Sequence, residues 1–129
     1  MRWLATLVFT LALPGVSHAV TPLAAAQART KPMVENVGAA EALTICQIRS
    51  GQWFQTILFA SQRAMARDPA MAVLSAADRE ALNASTSRLH YATRNRLAGP
   101  RLENCAALRS SPIIPKLDRL YDEITGGYR

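Results

Sequence analysis

From Gly38 to Arg67 the apolar residues recur every three or four positions and do not alternate with a period of two. At about 100° per residue these positions gather on one broad face of a helix. That face comprises Ala42, Leu43, Cys46, Trp53, Phe54, Ile57, Leu58, Ala60, Ala64 and Met65. The pattern therefore predicts a long amphipathic helix and excludes a strand.

Local signals end this helix and define a second one. Asp68-Pro69 stops the first, because the residue before a proline avoids helical backbone angles. Ser75, followed three residues later by Asp78, has the form of a capping box and predicts a helix from there to about Ala98. Its buried stripe comprises Leu82, Thr86, Leu89, Thr93 and Leu97. Gly99-Pro100 ends it, since glycine accepts the cap and proline cannot continue the helix.

The C-terminal part of the sequence predicts two shorter helices. One runs from Arg101 to Leu108, and a break follows at Ser110-Ser111-Pro112. The last helix places four apolar residues on one face and ends at Gly126-Gly127; the four are Leu117, Leu120, Tyr121 and Ile124.

The chain contains two cysteines, Cys46 and Cys105, and such a pair in an oxidising compartment usually forms a disulfide. From Cys46 the first helix rises about 32 Å and the second returns about 33 Å, so an antiparallel pair brings Cys105 back level with Cys46. Neither cysteine belongs to a Cys-x-x-Cys motif, which argues against a redox pair. The sequence thus predicts an all-α fold, a small three- to four-helix bundle with a long antiparallel helical hairpin, stapled by one disulfide.

The N-terminus has the order of a secretory signal peptide: Met1-Arg2, an apolar run from Trp3 to Leu13, and small residues at Ser17 and Ala19. We expect cleavage after Ala19. The apolar run would span about 16 Å as a helix, which is too short for a membrane anchor. Residues 20–37, interrupted by two prolines, are predicted to form a flexible arm or a weakly ordered helix, and residues 38–129 a single helical domain. The expected location is periplasmic or secreted.

The chain carries fifteen Lys and Arg against nine Asp and Glu, a net charge of +6. Loss of Arg2 with the signal peptide would leave +5. Because the basic residues are scattered, they favour a solvated basic surface over a dedicated polyanion site. An anionic surface remains a possible partner. Export and the dispersed charge argue against nucleic acid, and no later segment is apolar enough for a transmembrane helix.

No motif for catalysis, a metal or a cofactor is recognisable. His90 is the only histidine after the predicted signal peptide, so a closed zinc site lacks ligands. Ser87 precedes His90 by one turn, but no acid is placed to orient the ring, which favours a boundary histidine beside Arg94. A small helical enzyme of the chorismate-mutase type would need Arg49 and Arg96 to bind a dicarboxylate. We expect these two arginines to extend to solvent instead.

One surface points to binding. A strip on the first predicted helix lies away from its main apolar face and is expected to contact a partner; it consists of Ile48, Gln52, Gln55 and Phe59. The alternative is that other parts of the fold cover this strip. The leading hypothesis is a small exported, non-catalytic helical protein that binds another exported protein, as an accessory subunit of a periplasmic enzyme complex or as an inhibitor or immunity protein. The alternatives are a binder of anionic envelope polymers or lipids, and the small periplasmic enzyme.

Overall fold

Every regular element in the computed structural model, which describes residues 19–126, is an α-helix. In chain order the helices are α1 (Pro22–Ile45), α2 (Gly51–Arg67), α3 (Pro69–Ala72), α4 (Ala76–Ala98), α5 (Cys105–Leu108) and α6 (Ile113–Ile124). A disulfide joins Cys46 to Cys105. The predicted all-α class and the predicted disulfide are thus confirmed. Of the predicted signal peptide, only Ala19 lies within the described residues. Gly127, which belongs to the predicted end of the last helix, lies outside them.

Helix α1 includes most of residues 20–37, for which the sequence predicts a flexible arm or a weakly ordered helix. Thr21 caps its first turn by accepting a hydrogen bond from the backbone N–H of Ala24, and Pro22 occupies the first helical position, where its missing N–H costs nothing. Pro32 lies inside the helix but faces solvent. The buried face of this half uses small or polar side chains at helical spacing: Ala26, Thr30, Val34 and Val37. Tertiary packing therefore holds a helix that contains an internal proline and shows little apolar contrast between its faces.

The helix predicted from Gly38 to Arg67 is two helices. α1 ends at Ile45, the chain turns through residues 46–50, and α2 begins after Ser50, whose hydroxyl accepts a hydrogen bond from the N–H of Trp53. At the far end, Arg29 near the start of α1 binds Asp68 just after α2. α1 and α2 therefore form the long antiparallel hairpin, a pairing different from the expected one between residues 38–67 and 76–98.

Helix α4 begins and ends where the sequence predicts. The Ser75 hydroxyl accepts a hydrogen bond from the N–H of Asp78, and Gly99 follows the last turn with a φ of 84°. α4 packs mainly on α1 and runs parallel to it, because Gln27 contacts Ser85 and, further along both helices, Glu41 contacts His90. Gly38 allows this close approach.

The main core lies at the disulfide end, where α1, α2, α4 and α6 meet around Leu43, Ile57, Ala98 and Leu117. A smaller cluster of Ala26, Leu74 and Leu82 closes the other end. Within residues 19–126 none of the helices combines the length and hydropathy needed to cross a bilayer.

Candidate functional site

The four residues of the predicted strip do not share one surface. Gln52, Gln55 and Phe59 are exposed on α2, and half of the Phe59 surface is accessible to solvent. Ile48 instead lies in the turn before α2, half-buried against the main core. The expectation that Ile48 extends the strip by one helical turn is therefore wrong, because the helix is interrupted there.

The turn after α1 explains the position of Ile48. The N–H of Ile48 donates to the carbonyl of Leu43 at 2.8 Å, and the N–H of Gln47 donates to Thr44 at 3.0 Å. This pair of bonds defines a Schellman motif, in which the residue at the position of Ile48 commonly packs back on the helix. Gln47 takes the left-handed conformation with a φ of 61°, a position that glycine usually occupies.

The exposed part of the predicted strip, which we call the α2 ridge, consists of Gln52, Gln55 and Phe59. The three side chains occupy about two turns of the outer side of α2. No charged residue occurs in α2 before Arg63. The inner side of the same helix is held by buried Trp53 and Ile57, so the ridge is presented on a rigid element.

The disulfide lies at the end of the molecule where α2 begins. Cys46 caps the C-terminus of α1 and Cys105 opens α5, with their Cα atoms 5.3 Å apart. The bond joins two residues 59 positions apart and encloses α2, α3 and α4. It therefore ties the α1–α2 turn to the segment after α4.

The structure supplies an acid that the sequence argument missed. His90 donates its Nε2–H to Oε1 of Glu41, and Nη1 of Arg94 lies 3.8 Å from the same oxygen. His90 is thus a boundary histidine beside Arg94, as predicted, but its ring is oriented by Glu41 on α1. A single glutamate among Ala39, Ala40 and Ala42 is the sequence signal for this contact.

This cluster does not form a nucleophile–base pair with serine. Ser87 is exposed, and the hydrogen bonds of residues 19–126 do not join it to His90. In the same range, no group of three or more His, Cys, Asp and Glu side chains is arranged to hold a metal ion.

The two arginines considered for a dicarboxylate pocket are not brought together. Nε of Arg49 donates to one carboxylate oxygen of Asp118 at 3.0 Å, and Nη2 donates to the other. The guanidinium is therefore already engaged by a carboxylate of the same chain. Hydrogen bonding to Asp118 raises the pKa of Arg49 above its usual value. Arg96 is exposed on α4 and does not line the cavity beside Arg49 and Trp53. Arg49 therefore links the α1–α2 turn to α6 and does not extend freely to solvent as expected.

Comparison with known proteins finds no matching family model, no matching curated protein and no matching solved structure.

Proposed function

We propose that this protein is a non-catalytic binding protein that docks another exported protein on the α2 ridge. The observation that carries the proposal is Phe59, an aromatic side chain half exposed at one end of an uncharged helix face. Cores of protein interfaces are depleted in charge and enriched in aromatic residues. The neighbouring Gln52 and Gln55 would supply hydrogen bonds around such an anchor.

The exposed faces of α4 and α6 carry more charge than the α2 ridge. The exposed positions of α4 include Arg79, Glu80, Arg88 and Arg96, and those of α6 include Lys116 and Arg119. Charged residues of this kind are depleted in the cores of protein interfaces. The contrast supports α2 as the docking element. Because buried residues anchor α2 on its inner side, docking would require little ordering of the helix.

Export belongs to the same proposal. The disulfide is compatible with an oxidising compartment, since such bonds persist there and are rare in the cytosol. The partner is then a protein of the same compartment, either an enzyme of which this chain is an accessory subunit or a toxin or hydrolase that it inhibits. Mass spectrometry of the exported protein should find a mature chain starting near Val20 and no alkylatable thiol before reduction. A chain that retains its first nineteen residues would contradict export.

A photo-crosslinking residue placed at Gln55 tests the docking surface. In cells that export the protein, we expect one discrete adduct from Gln55 and none from the same residue placed at Arg88 on α4. Equal labelling from both positions would count against the ridge. A complex that dissociates between low and high ionic strength would favour an anionic polymer or lipid as the partner.

Phe59→Ala then measures the anchor once the adduct is identified. We expect a loss of about 1–3 kcal/mol of binding free energy, because aromatic anchors carry a disproportionate share of interface energy. Tyr91→Ala is the matched control, since Tyr91 is equally exposed on α4. The melting temperature of Phe59→Ala without partner should equal that of the wild type. A drop of the size caused by deleting a core phenylalanine would show that Phe59 is structural.

A further inference from the structure

Two cavities lie between α2 and α4, over a floor formed by α1. Their volumes are about 260 and 120 Å³, and both are lined by Met65 of α2 and Thr86 of α4. The larger one opens near Arg79 and Asn83, and the smaller one reaches Val37 and His90. Because they share Met65 and Thr86, the cavities lie next to each other, and we call the pair the α2–α4 groove.

The interior of the α2–α4 groove is mainly apolar. Val34 and Val37 form the floor of the smaller cavity, Leu58 and Met65 one wall, and Leu82 part of the other wall. The polar residues that complete this part of the lining are Thr30, Gln62 and Thr86. At the inner end, the Nε2–H of His90 is already bonded to Glu41. The groove therefore favours an aliphatic group along most of its length.

The open end has the opposite chemistry. Arg79 is exposed, and one of its terminal nitrogens donates to the carbonyl of Met71 at 2.7 Å. Within residues 19–126 no carboxylate lies within 4 Å of this guanidinium. The amide of Asn83, one turn further along α4, lines the same opening. A guanidinium beside an amide is suited to an oxygen anion.

The dimensions select among apolar occupants. Arg79 and His90 are eleven residues apart on α4, so the groove extends for about 16 Å. A partner helix about 10 Å wide does not fit cavities of this volume, whereas a single extended chain does. Met65 and Met71 border the opening with flexible, polarisable side chains that adapt to a ligand.

We propose that the α2–α4 groove binds an aliphatic carboxylate, with its chain over Val34 and Met65 and its carboxylate at Arg79 and Asn83. This site is independent of the α2 ridge, because Phe59 does not line either cavity.

Isothermal titration of the full chain with decanoate and with the neutral 1-decanol tests the proposal. We expect saturable binding of one decanoate per chain and about tenfold weaker binding of 1-decanol, since only the acid makes a charge-assisted hydrogen bond. Arg79→Gln should weaken decanoate binding about tenfold and leave 1-decanol unchanged. Arg88→Gln, another exposed arginine on α4, is the control and should change neither.

A blocking variant locates the ligand. Ala66 is exposed and lines the opening, so Ala66→Trp should fill it without disturbing the core and should abolish decanoate binding. In NMR spectra of the wild type, decanoate should shift the methyl signals of Met65 and Met71. The proposal is overturned if the wild type shows no saturable binding, or if Arg79→Gln and Ala66→Trp both bind decanoate like the wild type. Phe59→Ala should bind decanoate normally, so failure of this site is separable from failure of the ridge.

Discussion

Glu41 on α1 accepts a hydrogen bond from Nε2 of His90 on α4, 49 residues further along the chain. The two side chains are 24 % and 21 % exposed, so water only partly competes with the bond. It joins the two helices that make the most extensive contact in the fold. An ionised carboxylate can only accept, so this contact also determines which ring nitrogen carries the proton.

Removing either partner should therefore destabilise the fold. We expect Glu41→Ala and His90→Ala each to lower the free energy of unfolding by about 1 kcal/mol, because the remaining group loses its partner. The double variant should lose less than the sum of the two, by about 0.5–1.5 kcal/mol. Urea denaturation of the four proteins measures this coupling. Strictly additive losses would show that the hydrogen bond contributes nothing.

Gly38 should tolerate no side chain. A Cβ at this position would lie 2.7 Å from the carbonyl oxygen of His90 and 2.9 Å from the Cβ of Thr93. We expect Gly38→Ala to lower the free energy of unfolding by about 1–3 kcal/mol through overpacking, although alanine is the better helix former. Gly51→Ala is the control, since nothing lies within 4 Å of a Cβ there, and it should cause no loss. A stabilised Gly38→Ala variant would mean that α1 and α4 separate easily.

Gln47 should be improved by glycine. Its left-handed φ of 61° strains a side chain that is exposed, so Gln47→Gly relieves strain without removing a core contact. We expect a gain of about 1 kcal/mol in the free energy of unfolding. The same change at Gln55, in the interior of α2, should instead cost about 1 kcal/mol. If chemical denaturation shows that both variants change the free energy of unfolding in the same direction, the strain at Gln47 is contradicted.

Asp68 should make the stability of the fold depend on pH in the acid range. Its two carboxylate oxygens share one bifurcated hydrogen bond from the Nε–H of Arg29, at 2.8 and 2.9 Å, and Oδ1 also accepts one from the N–H of Ala70. The hydrogen bond from Arg29 is the main cause that holds the pKa of Asp68 below its usual value. A lowered folded-state pKa stabilises the fold above the ordinary value of about 4, and this stabilisation is lost as the pH falls through the folded-state value.

Asp68→Asn isolates this effect, because asparagine still caps α3. We expect its melting temperature to lie below that of the wild type at pH 7, with the two curves converging under strongly acid conditions. Arg29→Gln should behave in the same way, since it removes the same ion pair. A difference between wild type and Asp68→Asn that persists unchanged at acid pH would show that the ion pair is not its source.

Features that depend on a few neighbouring residues were predictable. The Ser75 cap, the stop at Asp68-Pro69 and the glycine after α4 each act within about one turn, so their chemistry is visible in the sequence. The apolar face of α6 was equally visible, because Leu117, Leu120 and Tyr121 contrast sharply with the polar residues between them. The disulfide was predictable because the chain contains two cysteines and the predicted helix lengths bring them level.

The misread parts depend on contacts distant in sequence. The first half of α1 offers little apolar contrast, because its buried face is built from Ala26 and Thr30, and its packing becomes evident only when α4 covers it. The turn at Gln47 lacks the glycine that usually ends a helix in this way. The helical pattern of the sequence therefore continues through the turn without an interruption. Because that turn exists, Ile48 joins the core and only Gln52, Gln55 and Phe59 remain on the ridge.

The sequence by itself determined that the chain is helical, where α4 begins and ends, and which cysteines pair. The tertiary structure decided which helices are neighbours. Their arrangement then determines that Glu41 contacts His90, that Asp118 binds Arg49, and that a groove lies between α2 and α4. The physical reason is the range of the forces involved. Caps and prolines act through the backbone of adjacent residues, whereas ion pairs and packing join side chains that only the folded chain brings within contact distance.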